Sequence, residues 1–116
     1  MRQPTFFEEG DEGGGRDAAR ILLYALGEFQ ERGLVLAGRD LPLDRLRGAF
    51  RRAAEAFGAQ ELGDEEAAAS LTSLGASVKR VPNFVAKHPF RVVVPLELAE
   101  RSREAYTEIL SSFKRP

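Results

Sequence analysis

From Asp17 onward, apolar side chains recur at helical spacing: Ala18, Leu22, Ala25, Leu26 and Phe29 fall on one side. Asp17 is placed to cap such a helix and Gly33 to stop it, so the spacing predicts a helix over about residues 17–32. Ile21, Leu23 and Tyr24 fill its other faces, which predicts burial on most sides. A buried strand over Ile21–Leu26 competes, but the length and the flanking signals favour the helix. Leu34-Val35-Leu36-Ala37, closed by Gly38, reads as a short strand. Pro42 then stands where a first-turn proline is tolerated, and Leu43, Leu46, Phe50, Ala53 and Phe57 line one face of a second helix ending at Gly58. A third, shorter helix is expected over about Asp64–Leu74. Asp64 would cap it, Glu65 and Glu66 suit its positive end, Ala68, Leu71 and Leu74 form its inner stripe, and Gly75 stops it.

The period then changes. Ser77–Val81 and Phe90–Val94 are rich in β-branched residues and flank a segment running from Pro82 to Pro89. The simplest pairing is an antiparallel hairpin with a long tip, Asn83 to His88. The run Val92-Val93-Val94 has the look of a strand covered on both faces. Pro82, Pro89 and Pro95 limit how far ladder bonding extends. Leu98, Ser102, Ala105, Ile109 and Phe113 mark a last amphipathic helix over about 96–113, with Glu97 and Arg101 as an i,i+4 pair on its exposed side. The fold class expected is α+β: about four helices packed on a small, mainly antiparallel sheet, with a C-terminal hairpin followed by a helix.

Ahead of the first periodic segment lie Phe6-Phe7 and an acidic tract in which Gly10, Gly13, Gly14 and Gly15 alternate with Glu8, Glu9, Asp11 and Glu12. Such a tract reads as a flexible loop or boundary over residues 1–16. Pro4-Thr5-Phe6-Phe7 could add a short strand to a sheet edge. At 116 residues the chain suits a single domain, 1–116, with one core.

Composition narrows the chemistry. Without cysteine there can be no disulfide framework, no cysteine zinc site and no thiol nucleophile. No apolar run approaches the roughly 18–20 residues that cross a bilayer, and the start does not read as a secretory signal. A cytoplasmic protein without a membrane partner is therefore expected. Arginine occurs 14 times against three lysines, alanine 16 times and asparagine once. This bias fits a GC-rich gene, and scarce Asn, Cys and Met suit a thermophile. In composition and size the chain resembles small domain-of-unknown-function proteins of thermophilic bacteria, a resemblance that implies no activity.

No catalytic constellation stands out. His88 is the sole imidazole, so any Ser-His-Asp arrangement must use it, and no serine sits in a Gly-x-Ser-x-Gly elbow. Three protein ligands for a catalytic zinc are hard to assemble from one histidine. Glu65-Glu66 could hold magnesium, yet acids at a helix opening are stabilised by the dipole with no metal. Gly13-Gly14-Gly15 precedes a helix, but no Gly-Lys-Ser/Thr follows, and its acids would repel phosphate. No cofactor is expected.

Charge is the more informative signal. The 17 basic and 18 acidic side chains nearly cancel, but unevenly. Residues 67–96 contain no acid and carry Lys79, Arg80, Lys87 and Arg91; residues 39–52 set Arg39, Arg45, Arg47, Arg51 and Arg52 against Asp40 and Asp44; residues 1–17 are net acidic. A basic hairpin with Phe84 and Phe90 between its charges could meet phosphates and stack bases, with Lys79, Arg80, Lys87 and Arg91 as the anion-binding set. Against this, adjacent strand residues such as Lys79 and Arg80 point to opposite faces. The apolar tip offers another use, a protein-contact surface of Phe84, Val85, Lys87, His88 and Arg91, with a homodimer as one form it could take. The leading expectation is a non-enzymatic protein acting through protein contacts or homodimerisation. Nucleic-acid or phosphate binding is the alternative, and a small-ligand enzyme without a recognisable motif comes third.

Overall fold

Helices cover one face of a three-stranded antiparallel sheet, the α+β arrangement expected. The computed structural model describes the backbone of residues 6–82 and 90–114 and the side chains of residues 18–82 and 90–113. In chain order the elements are α1 (Phe6–Glu31), β1 (Asp40–Pro42), a 3-10 turn (Leu43–Leu46) running into α2 (Arg47–Phe57), α3 (Asp64–Leu74), β2 (Ser77–Arg80), β3 (Phe90–Val93) and α4 (Leu96–Lys114). β3 is central, in the order β1-β3-β2, with Leu41 opposite Val92 on one side and Val78 opposite Val92 on the other.

The first helix departs from expectation. It begins at Phe6 rather than near Asp17, so Phe6-Phe7 are helical instead of extended and the glycine tract lies within the helix. Each interior glycine costs a helix about 1 kcal/mol relative to alanine. A second departure concerns the segment after α1. Leu34–Ala37 is not a strand: only Ala37 makes an isolated parallel bridge, to Val94. The edge strand is instead Asp40–Pro42, and the proline that was expected to open a helix closes this strand and precedes the 3-10 turn.

The later elements follow their sequence signals closely. α2 and α3 end at Gly58 and Gly75, whose φ angles of 66° and 115° are left-handed. Behind each glycine the next amide donates back to the last turn, Ala59 to Ala54 at 2.9 Å and Ala76 to Leu71 at 3.0 Å. At the start of α3 the capping position is Gly63, not Asp64. Asp64 is instead held by Arg47, which also donates to Glu61 at 3.1 Å and to the Leu62 carbonyl at 2.7 Å, tying the start of α2 to that of α3. Arg101 does not serve an i,i+4 pair either; its guanidinium donates to the Leu74 carbonyl at 2.9 Å.

The core lies between the helices and the inner face of the sheet, where Leu22, Leu26, Leu46, Phe50, Leu71, Val92 and Val94 are fully buried. Burial along β3 alternates, Phe90 and Val92 inward and Arg91 and Val93 half-buried outward, so the valine run is covered on one face rather than both. α1 and α4 run antiparallel and touch at Gly27, where an added Cβ would lie 2.4 Å from the Cβ of Tyr106 and 2.5 Å from the Ser102 carbonyl oxygen. One turn on, the Gln30 Nε2 donates to Ser102 Oγ and to the Ala99 carbonyl, both at 2.9 Å. The buried Ser102 hydroxyl in turn donates to Ala99 at 2.7 Å. A polar group this deep must be bonded, and this knot satisfies it.

Candidate functional site

Antiparallel pairing decides which of the candidate cations can act together. Lys79 stands directly opposite Arg91, so both belong to the outer face of the sheet. Arg80 stands opposite Phe90 on the other face, with its guanidinium 4.7 Å from the ring centre and ion-paired to Glu65 of α3. The expectation that Lys79 and Arg80 diverge is met. Arg91 is occupied as well: its Nε donates to the Asp40 carboxylate at 3.1 Å and an Nη to the Asp40 carbonyl at 3.2 Å. The outer face thus combines Lys79 and Arg91 with the carboxylate of Asp40, leaving a net of one positive charge. Phe84, Val85, Lys87 and His88 lie outside the described residues.

Apolar exposure is concentrated elsewhere. Among the described residues Val35 is 61% exposed, Leu96 62%, Leu34 39% and, far from these, Phe113 44%. Leu34 and Val35 follow the end of α1, and Leu96 opens α4. Antiparallel packing of the two helices, read from the Gln30–Ala99 bond, brings that end and that start to the same pole of the molecule. The two segments are pinned there. The Gly38 amide donates to the Val94 carbonyl at 2.8 Å, Ala37 bridges Val94, and Leu36 between them is buried. Arg39 closes the turn with an amide bond to the Leu36 carbonyl at 3.2 Å. Among the described residues the side chains of Arg39 and Glu97 make no hydrogen bond or ion pair.

At the opposite pole, Tyr24, Phe57, Tyr106 and Phe113 form an aromatic cluster with ring centres 4.9–5.9 Å apart, and Arg20 sits 5.6 Å over Phe57. Burial, then the neighbouring Tyr106 and Glu28, raise the Tyr24 hydroxyl above its usual pKa. Between the poles an open cleft of about 540 Å³ is lined by Glu31, Arg103, Glu104, Thr107, Glu108 and Ser111. Among the described residues no group of three or more acidic or histidine side chains is arranged to hold a metal, and no helix is long and apolar enough to cross a membrane.

No family model matches the chain, and neither a curated protein nor a solved structure matches it. Geometry alone therefore ranks the surfaces. Glu28 of α1 is held by two arginines: Arg52 of α2 grips it with Nε at 2.7 Å and an Nη at 2.9 Å, and Arg32 adds a bond at 3.3 Å. Burial by itself would raise its pKa, but the bonds and charges of Arg52 and Arg32 outweigh that and hold it low. That is a structural brace, with both bidentate arms satisfied. The pole of Leu34, Val35 and Leu96 is different, because nothing in the fold accounts for its exposure. Sequence reasoning missed it by reading Leu34–Ala37 as a strand. One signal was available for Leu96, which sits two positions before Leu98, roughly 200° round the helix from the buried stripe.

Proposed function

We propose that the chain acts through protein–protein contact, using the pole formed by Leu34, Val35 and Leu96. The supporting observation is their exposure on segments that the fold holds fixed. Large apolar side chains exposed at one end of a fold, on segments tied to its sheet and helices, are suited to partner contact. A cytoplasmic setting suits a chain without cysteine. The anion-binding alternative has less behind it, since Arg80 and Arg91 already have carboxylate partners and only Lys79 of the described candidates lacks one.

Photo-crosslinking in the producing cells tests this reading. A photoreactive residue at position 34, 35 or 96 should give an adduct of defined mass, and one at Glu66 on the exposed side of α3 should not. Adding Leu96→Lys to the position 35 variant should abolish the adduct. Absence of any defined adduct from all three positions would refute the proposal.

A further inference from the structure

We infer that Tyr24 and Tyr106 form an oxidation site, at which one-electron oxidants join the two rings into an intramolecular dityrosine that staples α1 to α4. The pair belongs to the aromatic cluster at the pole opposite Leu34, Val35 and Leu96, so this inference and the contact reading stand or fall separately. Composition directs the chemistry first. The chain has no cysteine and no tryptophan, and Tyr24 and Tyr106 are its only tyrosines. Phenols lose an electron more readily than thioether or imidazole groups, so one-electron oxidation of the side chains drains to these two. Met1, the single methionine, is oxidised by oxygen transfer instead.

The fold then brings the two phenols together from distant parts of the chain. Their ring centres lie 4.9 Å apart with the planes tilted by 59°, within the range of packed rings. Phe57 and Phe113 wall the pair, 5.7 and 5.9 Å from the Tyr24 ring centre, and have no hydroxyl with which to compete. The close approach at Gly27, one turn on from Tyr24, seats the Cβ of Tyr106 against α1, and the Gln30–Ser102 bond holds α4 beside it. Access to the two rings differs: Tyr24 is buried and Tyr106 half-buried. Oxidant therefore takes the first electron from Tyr106. An electron crossing the ring contact, with loss of the Tyr24 hydroxyl proton, moves the radical inward and regenerates Tyr106 for a second oxidation. In total two equivalents of oxidant take one electron from each phenol, and the two hydroxyl protons pass to solvent. The phenoxyl radicals form one carbon–carbon bond between ortho carbons, and the two ortho hydrogens move to the oxygens.

Illumination of the dilute, purified full chain with tris(bipyridyl)ruthenium and persulfate tests the inference. Dityrosine fluorescence should appear in a product of monomer mass less two hydrogens, with tryptic peptides 21–32 and 104–114 joined. No other tyrosine is present, so dityrosine within one chain reports this pair alone. The intramolecular yield should be about tenfold lower in the urea-unfolded chain, where the rings are no longer held in contact. The crosslinked chain should need more urea to unfold, because the bond closes residues 24–106 into a loop that restricts the unfolded state. An intramolecular yield that urea leaves unchanged, dityrosine found only between chains, or a crosslinked chain no more resistant to urea would each overturn the inference.

Discussion

Gly27→Ala is the most incisive perturbation of the packing between α1 and α4. The added methyl carbon would lie 2.4 Å from one carbon of Tyr106 and 2.5 Å from the backbone oxygen of Ser102. Carbon atoms in good contact are separated by about 3.5–4.0 Å, so the overlap exceeds 1 Å. Neither obstacle is the far end of a flexible side chain, and no rotamer change relieves it; the helices must separate. Overpacking of this kind costs about 1–3 kcal/mol. Separation also stretches the Gln30–Ser102–Ala99 knot one turn away, at about 0.5–1.5 kcal/mol for a lost hydrogen bond. Against this stands a gain of about 1 kcal/mol from replacing a helical glycine. The expected net loss is about 1–3 kcal/mol, or roughly 4–12 °C in melting temperature for a domain of this size. Gly48→Ala in α2 supplies the control. Its Cβ would meet only the Arg52 guanidinium tip, at 3.4 Å, so the propensity gain should survive and stability should rise by up to about 1 kcal/mol. Thermal and urea unfolding of both variants decide the matter. A Gly27→Ala protein as stable as the original would refute the close approach of the two helices.

Two further outcomes follow from named contacts. Glu28→Gln should cost about 1 kcal/mol in urea unfolding, because it removes the charge from a two-armed arginine bond. Since the folded-state pKa of Glu28 is held low, its contribution is present above the unfolded carboxylate pKa and is lost as pH falls through the folded value. The acid limb of stability against pH should therefore be shallower in Glu28→Gln than in the original, and parallel limbs would contradict the brace. Replacing Gly13, Gly14 and Gly15 together by alanine should increase helical content and stabilise the fold by about 1–3 kcal/mol, because the tract lies within α1. An unfolding midpoint not raised by that triple substitution would place the start of the helix after the tract.

Where local chemistry and tertiary packing agree, the elements are legible from residue types. The bounds of α3, Asp64–Leu74, coincide with expectation because acids open it and a left-handed glycine closes it, both local signals. The β2–β3 pairing is equally plain from its β-branched runs. β1 is not legible, since Asp40-Leu41-Pro42 has no strand-favouring residue beyond Leu41 and exists only through its ladder with β3. The start of α1 is hidden for a related reason: four glycines argue against helix one residue at a time, while continuation from a long, well-buried segment argues for it collectively. The candidate contact pole shares that fate. Exposure of Leu34 and Val35 depends on Leu36 alone turning inward beside Val94, and no local pattern announces which of three successive apolar residues that will be.

Charge along the chain and charge in space also diverge, and that difference bears on the functional readings. The arginine-rich segment 39–52 looks like a basic surface only because its acids come from elsewhere: Glu28 of α1 takes Arg52, while Glu61 and Asp64 ahead of and within α3 take Arg47. Two cations of the acid-free stretch from 67 to 96 are paired in the same way. Glu65 precedes it and pairs Arg80, and Asp40 comes from another strand to pair Arg91. Arg47, Arg52, Arg80 and Arg91 are thus each half of an intramolecular pairing whose other half lies elsewhere in the chain, while Arg39, Arg45 and Lys79 have no such partner among the described residues. A nucleic-acid surface needs cations left over after such pairing, since affinity comes from neutralising several phosphates at once. Among the candidate anion-binding residues described, only Lys79 qualifies. Among the described residues Leu34, Val35 and Leu96, by contrast, remain exposed. In space, the surface favoured for contact therefore shifts from the hairpin, where the linear charge pattern is most uneven, to the pole where α1 ends and α4 begins.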